Sequence, residues 1–322
     1  MIIFFNYAGF NYSILNLSGR KVLLNPSPAS WFNKILPKIC LLIFLLISEG
    51  CSQMPRKLHI KDMFESFPEN TIICSERKAP VFFDTLMNDL NTPRIIYVGE
   101  HHNNSAHHDF QLKILTALYK KNPNLIVGME MFDRTYQPIL DQWSAGRLDR
   151  QTFIKKTHWY ANWKFDFELY SRLFDFIRIN QIPLVALNIP SSVTSRISVG
   201  GIDNLSVADH QFLPQSIDLS NTDHRIYIEK IFSLHNIKGR DNFEYFYSAQ
   251  CVWEDAMAES ITKHIGNSVM LVITGNGHLV EKFGIPDRVF KRTKLPFKTI
   301  LPYSTGRQTE LKAADYIWVS TP

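Results

Sequence analysis

The chain has 322 residues, 45% of them hydrophobic, with 35 Lys and Arg against 30 Asp and Glu for a formal charge of +5. That length and apolar fraction fill a substantial core and exclude a disordered chain. The basic residues are not clustered, which excludes a nucleic-acid partner, because phosphates are gripped by concentrated cationic patches.

Ile39 to Ser48 is an uncharged apolar run that follows Lys34 and Lys38 and ends at Glu49-Gly50-Cys51. A positive flank before a short apolar core is the pattern of an export signal, too short for a comfortable membrane span. Cys51, directly after Gly50, resembles the lipidated thiol of a bacterial lipobox. Residues 1–51 are therefore expected to be a targeting segment, with a lipid anchor at Cys51 and a cell-envelope location, outer membrane or periplasm. Of the four cysteines, only Cys74 and Cys251 remain for the folded part, too few for a disulfide scaffold.

Beyond it, Arg94 to Gly99 and Asn124 to Gly128 are short apolar runs rich in β-branched residues. Between them, Ala106 to Lys121 carries Phe110, Leu112, Ile114, Leu115 and Leu118 at helical spacing, which predicts a β-α-β unit. The pattern recurs as a helix over 167–180 leading into Pro183–Asn188, and a long helix over 242–265 leading into Ser268–Thr274. Strands that are apolar throughout and separated by helices predict a mostly parallel sheet flanked by helices, an α/β fold. Phe297–Pro302 and Tyr316–Ser320 are expected to add strands at an edge. Residues 52–322 form one domain in this reading, with a smaller helical subdomain inserted at about 191–240 and a second helical stretch at 136–157.

The chemistry-bearing groups cluster where strands end. Gly99-Glu100-His101-His102 closes the first strand, and His107 and His108 follow within eight residues of His101. In open α/β sheets, ligands bind beyond the carboxyl ends of the strands. Glu130 closes the second strand among apolar neighbours, and burial raises a carboxyl pKa unless a cation compensates. Thr274-Gly275-Asn276-Gly277-His278 closes a third, where Gly-Asn-Gly amides could receive an anion. Asn188 ends another strand, and Glu254 lies on the long helix. Aromatic residues crowd 158–170 and 243–247, enough to wall an apolar pocket. Tyrosine and histidine both serve as axial haem ligands.

These segments resemble the ChaN-type haem-binding lipoproteins, part of a superfamily with Tiki-type metalloproteases and erythromycin esterases. The family's Gly-Glu-x-His-Asp-Asn-Pro-Ala-His-His corresponds to Gly99–His108, with Asn103 in place of Asp and Ser105 in place of Pro. Glu130–Arg134 with Gln137, Trp163–Tyr170, Ala186–Pro190, Ala249–Ala258 and Gly275–His278 followed by Phe283–Pro286 match in order, with Glu254 where an Asp is usual. The resemblance covers roughly residues 90–305. It implies an iron-uptake lipoprotein of the outer membrane whose homodimer encloses haem.

Two functions follow as expectations. In the first, haem is held by Tyr170, Tyr245 or Tyr247, with His107 and His108 as imidazole candidates. In the second, the protein is a hydrolase in which Glu100, His102, Glu130 and His278 activate water, with or without a divalent metal held by His102, Glu130, Glu254 and His278.

Overall fold

The computed structural model describes residues 56–234 and 239–322. The targeting segment with Cys51, and residues 235–238 of the expected 191–240 subdomain, lie outside them.

The described chain opens with four three-residue strands, β1 (Leu58–Ile60), β2 (Glu65–Phe67), β3 (Ile72–Cys74) and β4 (Ala79–Val81), then helix α1 (Phe83–Asp89). Strand β5 (Ile95–Glu100), helix α2 (Ser105–Lys121) and strand β6 (Leu125–Asp133) form the β-α-β unit. Helices α3 (Gln137–Ser144), α4 (Arg150–Lys156), α5 (Trp159–Asn162) and α6 (Ser171–Ile179) lead to β7 (Leu184–Asn188). Then come α7 (Ser191–Gly200), α8 (Val207–His210), α9 (Thr222–Ser233) and the 23-residue α10 (Phe243–Ile265). The chain closes with β8 (Val269–Gly275), α11 (Ile285–Thr293), β9 (Phe297–Ser304), β10 (Gln308–Thr309) and β11 (Tyr316–Ser320).

Eight strands form the main sheet in the order β4-β3-β11-β9-β5-β8-β6-β7. From β11 to β7 every pairing is parallel, and β3 and β4 are added antiparallel. The last two sequence-predicted strands are thus interior, not at an edge. Ile300, Leu301, Ile317 and Val319 are all 0% exposed, and strands buried on both faces belong in the middle of a covered sheet. The edge is the β3–β4 hairpin, whose short strands carry no periodic signal. Pro80, in β4, has no backbone N–H to offer a further strand.

α2 shows how local sequence sets an element. The Asn104 side chain accepts from the Ala106 and His107 amides at its start, the usual N-cap role. Pro123 disfavours helical backbone at Asn122 and ends it. Its Phe110, Ile114, Leu115 and Leu118 join the core on one sheet face with Val98, Val127 and Trp143. Each such buried side chain contributes about 1.5–3 kcal/mol. On the other face α10 and α11 bury Met257, Ile261, Ile285 and Val289 against Tyr97 and Val272.

The helices between β6 and β7 bury Leu140, Trp143 and Phe153 in the sheet's own core. The 191–234 helices instead share two small cores with α10, around Val193, Ile197 and Val252 and around Ile228, Tyr247 and Cys251. The free edge of β7 is closed by one side chain. Gln137 donates to the Leu184 carbonyl and accepts from the Ala186 amide, both at 2.8 Å, as a neighbouring strand's peptide would.

Candidate functional site

Parallel pairing brings three strand ends level, with Glu100 opposite Gly275 and Met129 opposite Ile273. Two buried clusters meet there.

The first is built on Glu100, 1% exposed. Its Oε1 lies 2.6 Å from His102 Nδ1 and accepts from the Tyr170 hydroxyl at 2.6 Å. Its Oε2 accepts from Gln111 at 2.9 Å and faces His108 Nε2 at 3.5 Å, an electrostatic contact longer than a hydrogen bond. Burial alone would raise the Glu100 carboxyl, but the His102 and His108 imidazoles overcome it and hold the group well below the ordinary carboxylate range. Burial and the neighbouring Glu100 drive the Tyr170 phenol well up. The His102 ring packs against Trp163 and Phe165, with centroids 4.6 and 5.3 Å away.

The second cluster is a string of alternating charges. Glu130 Oε2 accepts from Thr274 Oγ1 at 2.6 Å and from the Gly275 amide at 2.7 Å, and its Oε1 faces His278 Nε2 at 3.5 Å. An amide expected to cradle a foreign anion thus holds the protein's own carboxylate. On its other side His278 Nδ1 lies 3.2 Å from Glu254 Oε1. Glu254 Oε2 faces His224 Nε2 at 3.2 Å and Arg288 Nε at 3.3 Å, and Arg288 continues to Asp255 at 2.5 Å. Burial disfavours an imidazolium at His278, yet Glu130 and Glu254 raise its pKa to about 10. Burial would likewise raise Glu130, but His278 brings it down to about 2. A methyl placed on Gly275 would sit 3.1 Å from His102 Nε2 and 3.6 Å from Glu130 Oε2, so the two clusters close over this glycine.

Glu100, His102, Glu130 and His278 all lie in these two clusters, and several other assignments are corrected. His107 and His108 do not face an open cleft and are 1% and 2% exposed. His107 Nδ1 accepts from the His101 amide at 2.8 Å and its Nε2 meets Ser320 Oγ at 2.9 Å. Tyr170 is 0% exposed, with its hydroxyl committed to Glu100 and the His102 carbonyl. Tyr247 is 1% exposed and donates to the Leu219 and Asn221 carbonyls. Neither phenol is presented to a ligand. Asn188 donates to the Glu130 carbonyl at 3.1 Å and so positions backbone.

The suggested metal set of His102, Glu130, Glu254 and His278 does not fit a metal ion. Glu130 and Glu254 lie on opposite sides of the His278 ring, so their oxygens and its nitrogens point at one another and not at a common centre. Among the described residues no group of three or more His, Cys, Asp or Glu could hold one.

Sequence reading missed Gln111, His224, Arg288 and Gln250, whose side-chain amide donates to Glu254 Oε1 at 2.7 Å. Gln111 had a usable signal, three residues after His108 on the same helical face. His224 and Arg288 had none, because they reach Glu254 from helices 30 and 34 residues away.

A mostly parallel α/β sheet with buried Glu–His pairs at the ends of adjacent strands defines the class of protein. A family model described as haem-binding uptake, Tiki superfamily, ChaN matches residues 86–289, and the chain belongs to this family. Among solved structures, ChaN of Campylobacter jejuni, determined with cofacially bound haem, aligns with a TM-score of 0.64 at 20% identity, covering 77% of this chain and 95% of that one. That likeness establishes the fold. An erythromycin esterase in its open conformation aligns at 0.45 and 10% identity over 73% of this chain and 77% of its own. The toxin effector domain RRSP of Vibrio vulnificus aligns at 0.38 and 17% identity over 68% and 36%. Neither of these two carries functional weight. No curated protein matches the chain.

Proposed function

We propose that this protein is an envelope lipoprotein, anchored through Cys51, that binds haem for iron acquisition, with Tyr245 as the iron ligand at a surface completed by a second copy of the chain. The observation that carries this reading is exposure. Of the three candidate tyrosines, Tyr245 is 36% exposed against 0% for Tyr170 and 1% for Tyr247.

The surroundings suit a haem, which needs one axial donor and apolar surface for the macrocycle. Of the eleven exposed large apolar or aromatic side chains among the described residues, six lie between 199 and 245: Val199, Val207, Leu219, Ile226, Leu234 and Tyr245. The stretch that carries Tyr245 thus presents apolar side chains to solvent. Gly201, at φ +79, follows α7 and lies against the Tyr245 ring; a Cβ there would come 2.8 Å from Cε1. Any side chain at 201 would displace the phenol. A bound haem would supply the iron, and the chain would supply the phenol oxygen of Tyr245.

Hemin titration followed at the Soret band tests the assignment. Tyr245→Phe is expected to weaken binding at least about tenfold, roughly 1.4 kcal/mol, and to shift the band. Tyr170→Phe and Tyr247→Phe should leave the band in place while lowering stability. Unchanged binding by Tyr245→Phe would refute the assignment, and light scattering with and without hemin tests the dimer.

A second reading, hydrolysis of an ester or peptide at the buried centre, is favoured by the His278 cation held beside Glu130 and by the neighbouring Glu100–His102 pair. It predicts turnover on an ester and peptide panel that disappears in a folded Glu130→Gln variant. Turnover that persists in the variant, or none at all in the wild type, sinks it.

A further inference from the structure

The first hairpin of the domain presents a residue that its local backbone disfavours. β1 pairs antiparallel with β2 and parallel with β10 in a separate three-stranded sheet, and the turn Lys61-Asp62-Met63-Phe64 joins the first two. Phe64 has φ +56, where the Cβ of an L residue crowds the backbone, and it is 88% exposed. Among the described residues nine non-glycine positions share that left-handed backbone, and Phe64 is the one apolar side chain in the set. A lone exposed apolar residue is ordinary. An exposed aromatic where Asn or Gly would be unstrained is not, because it forfeits burial and adds strain together. Nor is the turn slack. The Lys61 amide donates to the Thr309 carbonyl at 2.9 Å, and the Asp62 carboxylate accepts from the Leu311 amide at 3.0 and 3.2 Å. Met63 packs inward on the core of Leu58, Ile60 and Phe67, so the tip turns one apolar side chain in and holds the next one out.

The surroundings say what the ring meets. Arg56, Lys57 and Lys61 on the hairpin, and Arg307 just before β10, are all exposed. None of the four forms an ion pair among the described residues. Of the two carboxylates between 56 and 66, Asp62 is engaged by the Leu311 amide and Glu65 is left to oppose them. An aromatic ring ringed by cations suits an anionic phospholipid surface, where the ring enters the acyl boundary and the cations stay at the phosphates. The chain also leads there. Five residues separate Cys51 from Arg56, a reach of roughly 18 Å when fully extended. β1 carries the chain about 17 Å further to Lys61, whose carbonyl accepts from the Phe64 amide. The hairpin is thus the part of the fold joined to Cys51 by the shortest length of chain.

We propose that the β1–β2 hairpin is a second membrane contact, with the Phe64 ring inserted at the headgroup boundary of an anionic phospholipid bilayer and Arg56, Lys57, Lys61 and Arg307 against its phosphates. The proposal rests on the lipid anchor at Cys51 and is independent of the haem reading. An anchored thiol alone leaves a domain free to rotate on its leash. A second contact fixes which face of the domain is turned away from the membrane.

The test uses the full chain, exported and purified with its lipid, in vesicles of phosphatidylethanolamine and phosphatidylglycerol. A polarity-sensitive bimane label is placed at Ser66→Cys, which leaves Phe64 intact, or at Phe290→Cys as a control beside no such cluster. Cys74 and Cys251 are 2% and 0% exposed and stay unlabelled in the folded protein. The label at 66 is expected to shift to the blue and to be quenched several-fold more strongly than the label at 290 by lipids brominated near the headgroup. Replacing phosphatidylglycerol by phosphatidylcholine, or combining Lys57→Gln with Lys61→Gln, should weaken that quenching. Phe64→Asn, which suits the left-handed backbone, should abolish it while raising the thermal midpoint. Equal quenching at the two positions, or quenching unchanged by Phe64→Asn, in protein whose mass shows lipid on Cys51 overturns the membrane contact and leaves the anchor standing. Protein without lipid on Cys51 overturns the anchor, and the membrane contact with it. A blue shift at 66 that follows protein concentration in the absence of vesicles makes a second copy the occupant and overturns the proposal as well.

Discussion

Glu254→Gln is expected to lower the unfolding free energy by about 3–5 kcal/mol, the usual consequence of removing one partner from a buried ion pair. Glu254 is 0% exposed and faces three cationic or protonatable groups: His278, His224 and Arg288. Those groups hold its carboxyl well below the ordinary range although burial works the other way. Without its charge, Arg288 keeps only Asp255 and His278 keeps only Glu130. Urea unfolding should show the loss, and NMR titration should show the His278 pKa moving down from its position near 10. A second variant separates charge from packing. Glu254→Leu combined with Arg288→Met removes both members of one pair and should recover part of the loss. A Glu254→Gln protein within 1 kcal/mol of wild type would mean that the string of charges does not hold the site together.

The second large effect is on pH dependence. His107 is buried and accepts a backbone hydrogen bond at Nδ1, so protonation both strands a charge and breaks that bond. Burial above all, with the His101 imidazole adding to it, lowers its pKa to about 3. A histidine whose folded pKa lies below its unfolded value of about 6.5 favours the unfolded chain once protons become available. Its contribution is complete above pH 6.5 and is lost as pH falls from there toward 3. His278 has the opposite sign: its contribution is complete below about 6.5 and lost as pH rises through about 10. Stability should therefore peak near neutrality. His107→Gln can still accept from the His101 amide and donate to Ser320, and it cannot titrate. Its stability should fall less steeply than that of wild type between pH 6 and 4, by about 1.4 kcal/mol per pH unit for one proton. Equal slopes would show that His107 does not couple protonation to folding.

The strand-end geometry of the site was legible in the sequence because strand ends announce themselves. An apolar run that stops at Gly99-Glu100 or at Thr274-Gly275 also says where its last polar side chains lie. Burial of individual aromatics was not legible. Tyr170, Tyr245 and Tyr247 share a residue type and similar aromatic neighbourhoods, and only packing distinguishes the phenol spent on Glu100 from the one left at the surface. The strands over 58–81 escaped notice for another reason. Each has three residues, too few for a period of two to register, and they are held by partners such as β11, more than 240 residues away. His224 and Arg288 were invisible on the same grounds, since long-range packing alone brings them to Glu254.

The closure of β7 by Gln137 also bears on how copies of this chain can meet. An open strand edge invites another chain to extend the sheet, the common route to aggregation and strand exchange. Here one edge offers Pro80 and the other has its Leu184 carbonyl and Ala186 amide already occupied by a side-chain amide. Growth of the sheet from molecule to molecule is blocked at both ends. Copies of this chain that meet would then recognise one another through side chains and not through shared backbone ladders, which leaves association reversible.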